Sequence, residues 1–185
     1  MAETLEQKIE RVLKDKIDLV PYDPNWPNQF DKEKAHLLAC LPSGLISRIE
    51  HYGSTSMPGM TAKPVVDMLV EVQDLNVVRR EVPPILEAQG YDYFWRPIGN
   101  IDEPPYYAWF IKRDADGSRT HHIHMVERDS RLWEGIDFRD YIRAHPEQAE
   151  AYERLKLSLA NKFPNDRISY TDGKTDFILE TLVSI

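Results

Sequence analysis

The sequence predicts an α+β fold, in which a core of mixed strands and helices is followed by a helical C-terminal third. Three observations carry that prediction. Strand and helix signals alternate from Leu45 to Arg96, two further strand signals flank an Asp-Gly turn between residues 106 and 126, and after Asp129 every periodic segment is helical.

Leu5, Ile9, Val12 and Leu13 recur at helical spacing among charged residues, so the first ~16 residues read as an amphipathic helix with a narrow apolar stripe. The stripe suits a packing face, and an added terminal helix could also support a homodimer. Residues 1–17 are accordingly set apart from a single domain spanning 18–185. In Leu19-Val20-Pro21-Tyr22-Asp23-Pro24-Asn25-Trp26-Pro27 three prolines keep the backbone extended and remove hydrogen-bond donors, which predicts a lead-in strand and loop. A helix starting near Pro27 or Asn28 carries Phe30, Ala35, Leu37, Leu38 and Leu41 and ends before Ser43-Gly44.

Leu45 to Tyr52 and Val65 to Val72 read as strands, Asn76 to Gln89 as a helix disturbed by Pro83-Pro84, and Tyr91 to Arg96 as a strand. Tyr106 to Lys112 and Arg119 to Val126 form two strands joined by Asp114-Ala115-Asp116-Gly117-Ser118, whose Asp-Gly step supplies a left-handed position. Asp137 to Ala144, Pro146 to Phe163 and Gly173 to Val183 read as helices, the second with proline in its first turn.

The 185 residues suffice for one domain with a substantial core. A formal charge of -8 opposes general attraction to nucleic acid or to an anionic membrane, while leaving room for a local basic pocket. The single cysteine, Cys40, supports neither an intrachain disulfide nor a cysteine zinc site. The first residues do not read as a signal peptide, and no stretch approaches the ~20 apolar residues of a membrane span, so a cytoplasmic location without membrane association is expected.

Within His51-Tyr52-Gly53-Ser54-Thr55-Ser56-Met57-Pro58-Gly59, Gly53 permits backbone angles closed to other residues, and Ser54 and Thr55 set hydroxyls beside exposed amides. Together they make either a phosphate cradle or an ordinary turn. Asp67 stands alone among Val65, Val66, Met68, Leu69 and Val70, a strand pattern buried on both faces. An ionised carboxylate there requires a cation, hydrogen-bond donors or an open strand end.

Val20-Pro21-Tyr22-Asp23-Pro24-Asn25-Trp26-Pro27, Ile49-Glu50-His51-Tyr52-Gly53-Ser54-Thr55-Ser56-Met57-Pro58-Gly59, Lys63-Pro64-Val65-Val66-Asp67 and Phe138-Arg139-Asp140-Tyr141-Ile142-Arg143-Ala144-His145-Pro146 resemble the GrpB family, in the family order. The similarity runs from about Asp18 to Leu182. GrpB proteins are grouped with the nucleotidyltransferase superfamily, so the resemblance implies a nucleotidyltransferase-like mixed β-sheet flanked by helices. It also implies a nucleoside triphosphate as ligand or substrate, with Mg²⁺ or Mn²⁺. In that superfamily a Gly-Ser turn is followed about a dozen residues later by two carboxylates one residue apart, and twelve residues lie between Ser54 and Asp67.

The second carboxylate is missing. Alternation places Val65, Asp67, Leu69 and Glu71 on one face, and Glu71 stands ~13 Å along the strand from Asp67, too far to share one ion with it. Conventional two-metal transfer loses its basis here, although Asp67 can still hold one Mg²⁺ with waters and phosphate oxygens.

His122 and His124 project to one side of a strand with Cα atoms ~6.6 Å apart, and with Asp67 they compose a two-histidine, one-carboxylate set for Zn²⁺, Mn²⁺ or Fe²⁺. The pair also matches a His-x-His element of the GrpB pattern. His51, two residues before the Gly-Ser turn, either faces the same cleft or is a hydrogen-bonded strand histidine. Lys63 either meets phosphate or neutralises Asp67, and is paired with Asp67 as a catalytic candidate. Arg139 and Arg143, four apart on a helix, make either a surface arrangement with Asp140 or a phosphate clamp. Lys156 and Lys174 match lysines of the GrpB pattern, and either snorkel around the core or point into the cleft. The phosphate-binding candidates are therefore Gly53, Ser54, Thr55, Arg139, Arg143, Lys156 and Lys174, and the metal candidates Asp67, His122 and His124. Trp26, Trp95, Trp109 and Trp133 suit either stacking on a base or packing in the core or an interface, and none is given a site role.

The first functional expectation is a metal-dependent, nucleotidyltransferase-like protein that binds a nucleoside triphosphate. The second is a nucleotide-binding or regulatory module of the same fold without catalysis, for which Leu69 is the evidence. The third is a metal-dependent hydrolase centred on Asp67, His122 and His124.

Overall fold

The computed structural model describes residues 4–14, 17–99 and 101–185. Its elements run α1 (Leu5–Lys14), α2 (Trp26–Cys40), β1 (Ile46–Tyr52), β2 (Val66–Val72), α3 (Leu75–Glu87), β3 (Asp92–Pro97), β4 (Tyr106–Arg113) and β5 (Arg119–Val126). They continue as α4 (Glu134–Ala144), α5 (Pro146–Lys162), α6 (Arg167–Asp172) and α7 (Thr175–Val183). The five strands form one mixed sheet in the order β1-β2-β5-β4-β3. β2 and β5 are parallel, and every other pair is antiparallel. The expected α+β architecture with a helical C-terminal third is present, and among the described residues no helix is long and apolar enough to cross a membrane.

Strand alternation divides the sheet into two unlike faces. Val66, Met68, Val70 and Val72 of β2, with Ile123, Met125, Ala108 and Phe110, turn toward α2 and α3 and build the main core with Trp26, Leu37, Val78, Val82 and Leu86. Glu33, an acid buried on this side, is compensated by Tyr91 Oη and by the Lys112 ammonium. On the other face Leu69, Phe94, Tyr107, Trp109, Ile111 and Val126 make a second cluster, which Val12 of α1 and Trp133 partly cover. Asp67, His122 and His124 share that second face. The C-terminal helices pack over the loop that follows β1, where Phe138, Ile142 and Tyr152 enclose Met57 and Met60.

Several local expectations are corrected. The lead-in strand at Leu19-Val20 shrinks to a single bridge, in which Val20 and Ala62 exchange backbone bonds of 2.9 and 3.0 Å. Pro83-Pro84 do not interrupt α3. The donors they lack would have served the carbonyls of Arg79 and Arg80, residues on the exposed side of the helix, so tertiary packing of Val78, Val82 and Leu86 holds it through. A short helix, α6, was not expected; its start is capped by Asp166, whose carboxylate accepts from Ser169 N at 3.0 Å. Part of the helix read over the first residues, 1–3 and 15–16, lies outside the described residues. Within α1, Lys8 pairs with Glu87 and Arg11 with Asp92, which ties the helix to this chain's own sheet and helix α3.

One irregularity positions the site. β4 and β5 pair in a constant register from Ala108↔Met125 to Lys112↔His121, and then as Arg113↔Arg119, leaving Thr120 as an extra residue on β5. Such a bulge reverses the alternation, so Arg119 joins His122 and His124 on one face of the sheet.

Met68→Ala, in the main core, is expected to lower the unfolding free energy by about 2–5 kcal/mol. Leu38→Ala, at a position 53% exposed, is expected to change it by no more than about 0.5 kcal/mol. Urea melts of the two variants check the assignment, and equal losses would contradict it.

Candidate functional site

The site is built where β1 turns into β2. Tyr52, the last residue of β1, lies opposite Asp67 in the register, and Gly53 leaves the strand with φ 70° and ψ −179°, a conformation essentially reserved for glycine. The constraint is also steric, because a Cβ at Gly53 would stand 2.4 Å from Asp67 Oδ2. Glycine therefore lets the turn close directly onto the carboxylate. The following residues, Ser54–Ser56, form a 3₁₀ turn, secured by Ser56 Oγ donating to Gly53 O at 2.6 Å.

Parallel pairing of β2 with β5 sets His122 beside Asp67 and His124 beside Leu69. His122 Nδ1 lies 3.0 Å from Asp67 Oδ1, and His122 Nε2 lies 3.2 Å from Arg119 Nη1. Asp67, His122 and His124 each offer a donor atom within 4.8 Å of the others. His124 is surrounded by Tyr52, Tyr107 and Trp109 rings, and its buried Nδ1 has no hydrogen-bond partner among the described residues. Leu69, where the second acid would stand, is fully buried among the apolar residues of this face.

Burial favours the neutral acid at Asp67, but the hydrogen bond from His122 and the positive potential of His122, His124 and Lys63 outweigh it and hold the carboxyl at about 2. Burial also lowers His122 to about 4 against the raising effect of Asp67, and lowers His124 to about 3. At neutral pH the pair is thus an ionised Asp67 and an uncharged His122.

Lys63 and Lys174 reach this region from two directions, their Nζ atoms 5.4 and 4.6 Å from the centre of the Tyr170 ring. Burial, with Lys174 and Arg167 nearby, lowers Lys63 to about 7, although Asp67 pulls the other way. Burial and Arg167 bring Lys174 to about 8, again against Asp67. A cleft of about 170 Å³ opens beside them, lined by Asp18, Lys63, Pro64, Val65, Ser118, Arg119 and Arg167. Cavities of about 570 and 610 Å³ occur elsewhere, against α1 and between Met57 and Pro146. None of the three spaces is lined by Asp67 or its histidines, and Lys63 lines only the smallest of them, so chemistry rather than cavity size identifies the site.

The remaining candidates from the sequence are placed as supports. Arg139 donates to His51 O at 2.8 Å and pairs with Asp140 and Glu50, and Arg143 donates to Ser56 O, so both fasten the turn from α4. Thr55, buried, engages His51 Nε2 at 3.0 Å. Lys156, 2% exposed, donates to Thr61 O while Glu153 accepts from Thr61 N at 2.8 Å, so α5 holds the loop before Lys63. The donors of Arg139 and Arg143, read as surface pairs or a phosphate clamp, and those of the phosphate candidates Thr55 and Lys156 face backbone carbonyls and neighbouring side chains. Gly53, Ser54, Lys63, Asp67, His122, His124 and Lys174 are brought together. Arg119, Arg167 and Tyr170 were missed, and only the bulge at Thr120 would have announced Arg119.

The donor chemistry tests the metal expectations. One carboxylate and two imidazoles are not a Mg²⁺ set, since Mg²⁺ takes oxygen ligands. They suit a transition metal by type, and the unpartnered His124 Nδ1 is consistent with one. His122 does not fit. A guanidinium only donates, so Nε2 facing Arg119 must be unprotonated and Nδ1 must carry the proton toward Asp67. Ligation through Nδ1, the nitrogen that faces Asp67, needs the reverse tautomer, and ligation through Nε2 would have to displace Arg119.

The comparisons agree with the resemblance read from the motifs. A family model described as "GrpB protein" matches residues 16–183. The glutamate-rich protein GrpB of Alkalihalophilus pseudofirmus is 38% identical over 172 residues, covering 92% of this chain and 97% of that protein. A UPF0157 protein of Pseudomonas aeruginosa is 36% identical, covering 91% of this chain and 67% of that one. Among solved structures, the crystal structure of the conserved protein GrpB from Enterococcus faecalis superposes with a TM-score of 0.76 at 30% identity, over 90% of this chain and 96% of that chain.

Two outcomes follow from this geometry. Gly53→Ala is expected to cost of order 1–3 kcal/mol from its backbone alone and more from its contact with Asp67. In a double-mutant cycle, Asp67→Ala should recover part of the loss, and strict additivity would show that the Gly53–Asp67 approach is not the constraint. His51, like His122, is held near 4 by burial against an ordinary 6.5. The unfolded chain therefore binds more protons between those values, and stability should fall as pH is lowered from about 6.5 to 4. Urea midpoints measured across that window check it, and a flat profile would contradict neutral burial of these rings.

Proposed function

The chain belongs to the GrpB family, and on that premise we propose that it binds a nucleoside triphosphate, with the phosphate tail lying between the Gly53-Ser54 turn and Lys63 and Lys174. One observation carries the reading. Two ammonium groups gather on the Tyr170 ring, with Arg119 and Arg167 on the adjoining cleft. Burial depresses both lysines, Lys174 and Arg167 add to it at Lys63 and Arg167 adds to it at Lys174, while Asp67 acts the other way on both. A cluster held this way is stabilised by a polyanion, whose charge replaces the lost hydration and relieves the repulsion. Among the residues lining that cleft, Lys63, Arg119 and Arg167 outnumber the acid Asp18.

Lys63 and Lys174 bind and orient phosphate oxygens, and the Ser54 hydroxyl and the turn amides add donors. Asp67 would supply an oxygen ligand to Mg²⁺ or Mn²⁺, which when bound offsets phosphate charge. With Leu69 in place of a second acid, the reading favours nucleotide binding over conventional two-metal transfer. Whether the nucleotidyl group is passed to an acceptor is measured separately, as pyrophosphate release.

A thermal-shift titration with nucleoside triphosphates and Mg²⁺ tests the proposal. Stabilisation is expected for the native protein, and Lys63→Gln or Lys174→Gln should weaken affinity about tenfold or more, the scale of one charge-assisted contact. Affinity should also fall as pH rises past about 8, because Lys63, at about 7, and Lys174, at about 8, then lose their charge. No stabilisation by any triphosphate would overturn it.

A further inference from the structure

We infer that Arg119 is a positioning residue that locks His122 into one tautomer, so that His122 serves Asp67 as a proton-bearing partner and not as a metal ligand. Three independent features support this. The bulge at Thr120 turns Arg119, which ordinary alternation would send to the opposite face, toward His122. The Arg119 side chain is itself anchored, because its Nη2 donates to Val12 O of α1 while Nη1 reaches His122 Nε2 at 3.2 Å. The residue is 8% exposed, and so is His122.

A guanidinium carries five donor hydrogens and no acceptor, and it does not deprotonate in proteins. With Arg119 in place, a proton on Nε2 would point one donor at another. The proton is therefore kept on Nδ1, where it meets Asp67 Oδ1 at 3.0 Å. Coordination through Nδ1 would require that proton to leave or move to Nε2, against Arg119. The three donor groups that resemble a two-histidine, one-carboxylate metal set thus form a directed chain, Arg119 to His122 to Asp67. The chain caps one carboxylate oxygen while Gly53 closes on the other.

This inference does not rest on nucleotide binding and is tested without a nucleotide. In metal-free, ¹⁵N-histidine-labelled protein, two-bond ¹H–¹⁵N correlation spectra should show His122 protonated at Nδ1 and bare at Nε2. Arg119→Met should shift it toward the Nε2-protonated form, and Arg119→Lys, which retains a donor and the charge, should preserve the native tautomer. Titration with Co²⁺ provides the second readout. The native protein and Arg119→Lys should keep the His122 resonances in place at one equivalent, whereas Arg119→Met should engage His122 and bind Co²⁺ about tenfold more tightly or better, the usual scale for a residue behind a ligand. Because Arg119→Met also removes an anchor of α1, its fold is verified by its thermal melt, and Arg119→Lys carries the comparison if Arg119→Met does not fold. His122 protonated at Nε2 in the native protein, or ligation of Co²⁺ by His122 there, would overturn the inference.

Discussion

An ionised carboxylate on a central strand must be compensated where it stands, and Asp67 is compensated from several sides. The His122 hydrogen bond caps one oxygen, Gly53 closes against the other, and Lys63 and Lys174 supply positive potential from the loop and from the start of α7. Each contact places a demand on the fold. The first needs β2 and β5 to be parallel and adjacent, the second needs a residue without a side chain, and the third needs the C-terminal helices to close over the β1–β2 loop. The sheet order, the turn and the helical third are in this sense arranged around one acid.

The cations divide into two groups by what their donors meet. Arg139, Arg143 and Lys156 donate to carbonyls of the loop that contains the turn, and so act as braces. Lys63 and Lys174 both lie against the Tyr170 ring, and burial is the main cause of their lowered affinity for protons, with Asp67 opposing it. The braces fix the shape of the turn, and the two lysines bring ammonium groups to the Tyr170 ring beside it. Both groups come from similar helix and loop sequences, so residue type alone does not separate them.

Much of the fold was legible in the sequence, because period-two alternation and turn residues mark strands directly. β5 matches its expected span, and the other strands differ from theirs by a residue or so at an end. Failures fall where a non-local interaction overrides a local one. Pro83-Pro84 are carried by the core packing of α3, and the extended Leu19-Val20 segment finds only Ala62 to pair with. In the site, Asp67, His122 and His124 do converge as expected, since each lies on a strand face that alternation predicts. The roles of Arg139 and Arg143 were not legible, because whether a guanidinium faces a ligand or a carbonyl depends on what the loop from β1 brings to it.

From the sequence alone follow membership of the GrpB family, the glycine turn paired with a lone buried aspartate, the absence of an acid at Leu69, and the helical C-terminal third. These are properties of residue order, which local geometry and motif spacing translate without reference to distant partners. The tertiary structure decided which cations brace and which remain facing the cleft, and it placed Arg119 behind His122 through a one-residue bulge. Hydrogen bonds are directional and short, so a single residue of register determines which donor meets which acceptor, and that register exists only once the strands are paired.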